Sequence, residues 1–116
     1  MDRLRLFQNL VAAAAIDGDI ADEERRALAW FGTGLGIGEA DFVASIAMAA
    51  DFKLVVPKDA KEREAALEMV ARILRADGKV TGRERGLFLA FGRRMGVADA
   101  ELEERLRYKP GPKEHS

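Results

Sequence analysis

The sequence predicts an all-α domain, a compact bundle of about six helices in two pseudo-symmetric halves. Apolar residues recur at helical spacing through six segments, and no two segments show the alternation expected of paired strands. Residues 16–42 also resemble residues 76–102, with eight identities at an offset of 60 residues. Unrelated sequences of this composition would share about two. We therefore interpret the chain as the internal duplication of a helical unit.

Caps, glycines and prolines set the bounds of the predicted helices. The helices are expected over 3–16, 21–34, 39–51, 59–76, 82–95 and 98–107. Together they form one domain over 1–107, and the segment 108–116, with two prolines and a glycine, is predicted to be a flexible tail. Residues 52–57 lack a partner strand, so we predict an irregular linker that packs Leu54 and Val56 onto the core.

Three features of this pattern concern packing. The third helix is apolar nearly all round, which is typical of a central, buried helix. Trp30 has no counterpart 60 residues later, where Ala90 stands, and we assign it to the core or to a self-association surface. Gly32 and Gly92 occupy equivalent places inside helices, where glycine costs about 1 kcal/mol relative to alanine. This predicts that the second and fifth helices cross there, glycine against glycine.

Composition excludes several classes of function. The 19 basic and 20 acidic residues are mixed along the chain, without the basic stripe expected of a nucleic-acid-binding protein. There is no cysteine, and the only histidine, His115, lies in the predicted tail. These facts exclude thiol chemistry, zinc sites of the usual kind and most general-base mechanisms, so we expect a non-enzyme. No transmembrane segment or signal peptide is predicted, and we expect a cytoplasmic protein.

An Asp-Gly corner occurs twice, once in each half, and it has two interpretations. In the first, the corner only ends one helix and starts the next. Gly18 and Gly78 terminate helices, and Thr81 with Glu84 forms a capping box at the start of the fifth helix.

The second interpretation is a site for a divalent cation: calcium, magnesium or manganese. Hard cations prefer carboxylate oxygens, and the corners supply several. The candidate ligands are Asp17, Asp19, Glu24, Asp77 and Glu84. An EF-hand is excluded, because the first half of such a loop would fall on residues that cannot bind calcium, such as Ala13 and Ala15. Any site would be weighted to the first corner, since Lys79 stands in the second corner where Asp19 stands in the first.

The two corners resemble the TerB-like family, named from tellurite-resistance proteins and also found as a domain of a membrane-anchored DnaJ-type co-chaperone. The matching residues are 15–20 with Glu24, and 76–80 with Glu84, and the likeness spans about 7–106. The resemblance implies an all-helical fold of two related halves without established enzymatic activity. It also implies metal-cation binding through acidic residues, in bacterial stress responses at the inner membrane face.

Two hypotheses about function follow. The first is a non-catalytic TerB-like module that binds a divalent cation at its acidic corners or a partner protein, free or membrane-associated, at its apolar faces. The alternative is an interaction domain without metal, such as a homodimer formed through Trp30 and the third helix.

Overall fold

In the part of the chain that the structure describes, segments bounded by helix caps fold into six α-helices and one short 3₁₀ turn. The structure is a computed structural model and describes residues 2–76 and 78–107. Within these residues there is no β-strand. The elements are α1 (Arg3–Ala14), α2 (Asp22–Gly34), α3 (Glu39–Ala47), the 3₁₀ turn (Ala49–Asp51), α4 (Ala60–Arg75), α5 (Gly82–Arg94) and α6 (Asp99–Arg107).

The all-helical prediction is therefore confirmed, with most helix ends within one or two residues of their predicted places. The third helix is the main exception, because it stops at Ala47 and the chain continues as the 3₁₀ turn. The predicted tail, 108–116, lies outside the described residues, and so does Asp77. None of the described helices is both long enough and apolar enough to cross a membrane.

The core is built around α1 and α4, which pack against each other more extensively than any other pair of helices. Phe7, Leu10 and Val70 are fully buried at this contact region, because their helical spacing places them on the inner faces. The linker 52–57 has no strand and lays Leu54 and Val56 partly buried against this core, as predicted.

A buried amide fixes the linker to α1. The side chain of Asn9 is 1% exposed; its Nδ2 donates to the carbonyl of Val55 at 2.8 Å, and its Oδ1 accepts from the amide of Val55 at 2.9 Å. Asn9 thus gives the linker the pair of hydrogen bonds that a neighbouring strand would supply.

The two glycines inside helices do not face each other, so that prediction is wrong. A Cβ on Gly32 would meet the rings of Phe7 and Phe42, at 3.3 and 3.5 Å. A Cβ on Gly92 would lie within 3.0 Å of three side-chain atoms of Leu102. Each glycine instead admits a large side chain from the helix that follows it, since Phe42 belongs to α3 and Leu102 to α6.

Candidate functional site

The two corners have matching backbone conformations. Gly18 and Gly78 have φ values of 98° and 84°, a left-handed conformation that glycine adopts without the penalty of a Cβ. The amide of Gly18 donates to the carbonyl of Ala15 at 2.9 Å, and that of Gly78 donates to Arg75 at 3.0 Å. Both glycines therefore follow the end of a helix, as predicted from the sequence.

The glutamates predicted as ligands serve as caps of the next helices. Glu84 is 4% exposed, and its Oε1 accepts from the amide of Thr81 at 2.9 Å, while Oγ1 of Thr81 accepts from the amide of Glu84 at 3.1 Å. This is the predicted capping box. Glu24 is 3% exposed and accepts from the amide of Ala21 at 3.0 Å. Because alanine has no side-chain acceptor, the first corner contains only half of the box.

The exposed carboxylate of Asp17 connects the two corners. Its Oδ2 accepts a hydrogen bond from Oγ1 of Thr81 at 2.9 Å, although 64 residues separate them in the chain. Asp17 therefore lies beside the cap of α5, the helix that carries Glu84. Asp19 is exposed, and Asp77 lies outside the described residues. Within residues 2–76 and 78–107, no three acidic or histidine side chains are arranged to hold a metal ion.

The apolar surface is concentrated elsewhere, on α2 and α3. Among the residues that the structure describes, three large apolar side chains are well exposed: Trp30 at 67%, Val43 at 59% and Met48 at 50%. Of the two alternatives for Trp30, the core is therefore wrong and the self-association surface stays a prediction. The central position predicted for α3 is also wrong. Only Ser45 is buried on that helix, and its contacts are mainly with α1.

We define the α3 face as the exposed apolar residues on the outer side of α3 and just after its end. They recur at spacings of three, one, three and one residues, which places them on one side of a helix. The α3 face consists of Ala40, Val43, Ala44, Ala47 and Met48.

Trp30 borders a separate apolar depression, the Trp30 groove, between α2 and α4. The groove has a volume of about 480 Å³. The indole packs edge-on against the ring of Phe31, with the ring centroids 5.1 Å apart and an interplanar angle of 77°. The residues that line the groove are Trp30, Phe31, Thr33, Gly34, Leu35 and Met69.

The sequence offered Trp30 and the third helix as an interaction surface only as one of two alternatives, because an apolar helix has the same pattern whether its face packs against the core or faces solvent. One signal was available. The helix 60 residues later, α6, carries charges at most of the positions that are apolar on the α3 face.

No protein-family model, curated protein or solved structure matches this chain.

Proposed function

We propose that this chain is a non-catalytic helical module that binds another protein through the α3 face. The observation that carries the proposal is the exposure of a continuous apolar stripe on a helix whose counterpart, α6, is charged. Soluble monomers rarely expose contiguous apolar patches larger than roughly a few hundred Å², and patches of that kind mark surfaces that other molecules cover.

The counterpart helix serves as an internal control for this argument. Both helices have nine residues, and both insert a large side chain against a glycine of the preceding helix. On α6 the positions equivalent to Val43, Ala44 and Ala47 are occupied by Glu103, Glu104 and Arg107. The packing of this helix pair therefore does not demand an apolar outer face. A function outside the fold accounts better for the apolar residues of α3.

The Trp30 groove, between α2 and α4, is a second apolar surface available to a partner. Tryptophan is strongly enriched among the residues that dominate the binding energy of protein interfaces. Trp30 is 67% exposed, so most of its surface does not contribute to packing. The equivalent position in the second half holds the small residue Ala90.

Site-specific photo-crosslinking in cells that make the protein tests this function. A benzophenone amino acid is placed at position 43 in one variant and at position 103, the matched site on α6, in another. We expect a discrete covalent adduct with another protein from position 43 and none from position 103. Equal adducts from both positions, or none from position 43, would contradict the proposal.

We also propose that the two halves arose by duplication and that the chain is a relative of the TerB-like family. Support comes from the paired corners, the paired glutamate caps and the paired contacts of Gly32 with Phe42 and Gly92 with Leu102. On this proposal, a role in stress responses would be exercised through partner binding.

A second candidate function is the binding of a divalent cation at the corners. The contact of Asp17 with Thr81 supports it, since it brings the acidic first corner beside the second. Asp17 and Asp19 are exposed and accessible to an ion, whereas Glu24 and Glu84 are buried and bound to helix amides. A cation would therefore depend mainly on the aspartates.

Titration of calcium, magnesium and manganese into metal-free protein tests this candidate. An ion that binds only the native state raises the free energy of unfolding by about 2.7 kcal/mol when its free concentration is about 100 times its Kd. The combined substitution of Asp17→Asn and Asp77→Asn should remove the increase, while Asp22→Asn serves as the control. An unchanged thermal midpoint at millimolar concentrations of all three metals would exclude the candidate.

A further inference from the structure

The α3 face is distinguished by the acidic residues around it as well as by its apolar side chains. From residue 27 to residue 52 the sequence contains no lysine or arginine, although the chain has 19 of them. The same stretch contains three acidic residues, Glu39, Asp41 and Asp51, and all three are exposed. Glu39 and Asp41 lie in the first turn of α3, and Asp51 ends the 3₁₀ turn that follows it. The apolar stripe is therefore bounded by carboxylates at both ends.

Two basic residues lie near the ends of this surface. Arg3 of α1 reaches the turn before α3, where its Nη1 would lie 3.5 Å from a Cβ placed on Gly36. Lys53 is exposed two residues beyond Asp51. Neither residue belongs to α3, so the helix itself presents apolar and acidic groups alone.

From this pattern we infer that the occupant of the α3 face is a basic amphipathic helix of another protein. The inference rests on the proposed function and specifies the partner. An apolar stripe on such a helix would cover Val43, Ala44 and Ala47, while its lysines or arginines would face the carboxylates at the two ends. Complementary charges of this kind determine partner choice and association rate more than total affinity.

The same charges disfavour a second copy of the chain in a two-fold arrangement. A two-fold interface pairs each surface patch with itself. Parallel α3 helices would then place Asp41 against Asp41, and antiparallel helices would bring Glu39 and Asp41 towards Asp51. Like charges held opposite each other weaken such a contact, whereas a basic partner has no such penalty.

A pair of designed peptides tests the inference directly. Both are helical peptides of about four turns, roughly 14 residues, with the same leucine and alanine stripe. One carries lysines beside the stripe, and the other carries glutamates at the same positions. Binding of each labelled peptide to the full chain is followed by fluorescence anisotropy. We expect the lysine peptide to bind about tenfold more tightly at low salt, with a preference that decreases as salt screens the charges.

Two substitutions that change the net charge equally test whether the preference for the lysine peptide arises at the α3 face. Asp41→Lys should weaken binding of the lysine peptide at least threefold, whereas Glu101→Lys, at the matched position on α6, should leave it unchanged. Thermal midpoints confirm that both variants fold. Equal affinity for the two peptides, binding of neither peptide, or equal loss in both variants would overturn the inference.

Sedimentation of the chain without peptide addresses the competing occupant. A dimer that Val43→Glu dissociates would show that a second copy covers the α3 face, which would also overturn the inference. An adduct at position 43 combined with equal affinity for both peptides would leave the interaction function in place and remove only the basic partner.

Discussion

The helix pair α2–α3 and the helix pair α5–α6 have the same lengths, 13 and 9 residues, but different outer surfaces. In α5–α6, ion pairs join the two helices: Arg93 with Asp99 at 2.7 Å, and Arg85 with Glu103. In α2–α3 the equivalent positions hold Thr33 with Glu39 and Arg25 with Val43. The first pair therefore lacks these ion pairs and exposes apolar side chains instead.

This difference separates what the fold requires from what the surface is used for. The inner contacts recur in both pairs, since a glycine of the longer helix accepts a large side chain of the shorter one. The outer positions are free to vary, and exposed ion pairs contribute little to stability. Apolar residues at those positions are thus better explained by binding than by folding.

The largest expected effect tests the inner contacts. Gly92→Ala should lower the free energy of unfolding by up to about 3 kcal/mol, because its Cβ would overlap the fully buried Leu102. Gly32→Ala should change it by less than about 1 kcal/mol, since the neighbouring rings are farther away and alanine favours the helix. Urea unfolding measures both changes in free energy. Equal losses would show that the space around each glycine does not determine the cost of adding a methyl group.

A second test concerns the contact between α1 and the linker 52–57. Asn9→Leu should lower the free energy of unfolding by about 2 kcal/mol, because the amide and carbonyl of Val55 lose their partners. Gln8→Leu is the control. It replaces the half-buried side-chain amide next to Asn9 and should have little effect on the free energy of unfolding. A variant at position 9 as stable as the wild type would show that solvent can replace the bonds of Asn9.

The caps of the two corners provide a smaller test. Thr81→Ala should cost about 1 kcal/mol of unfolding free energy, because α5 loses the hydroxyl that accepts from the amide of Glu84. The reverse change, Ala21→Ser, completes the half box of α2 and should raise stability by a similar amount. Thermal unfolding measures both, and a loss of stability on Ala21→Ser would contradict the equivalence of the corners.

The smallest expected effect concerns pH. The hydrogen bond from Arg93, and then its charge, lower the pKa of the Asp99 carboxyl from its ordinary value. The group therefore stabilises α5–α6 at neutral pH, and this contribution is lost as the pH falls through the lowered pKa. Arg93→Met should raise the pKa of Asp99 in an NMR titration and leave that of Glu103 low, because Arg85 lowers the latter. An unchanged pKa of Asp99 would show that its pairing with Arg93 does not distinguish α5–α6 from α2–α3.

The sequence predicted the helices and the backbone of the corners, but it left open whether Trp30 and the third helix are buried or exposed. Caps and glycines act locally, so the box at Thr81 and the left-handed Gly18 and Gly78 could be read directly. The contact of Asp17 with Thr81 depends on the packing of distant helices. Asn9 gave only a faint signal, since it is one of two adjacent amide residues among apolar ones. For α3, periodicity shows that a face is apolar and not what covers it.

The most direct test transfers the charges of α6 to α3. The triple variant Val43→Glu, Ala44→Glu and Ala47→Arg reproduces the outer positions of α6 on the α3 face. Because these side chains are exposed, its free energy of unfolding in urea should stay within about 0.5 kcal/mol of the wild type. A loss of about 2 kcal/mol or more would show that the α3 face is needed for folding, which would contradict its assignment as a surface kept for a partner.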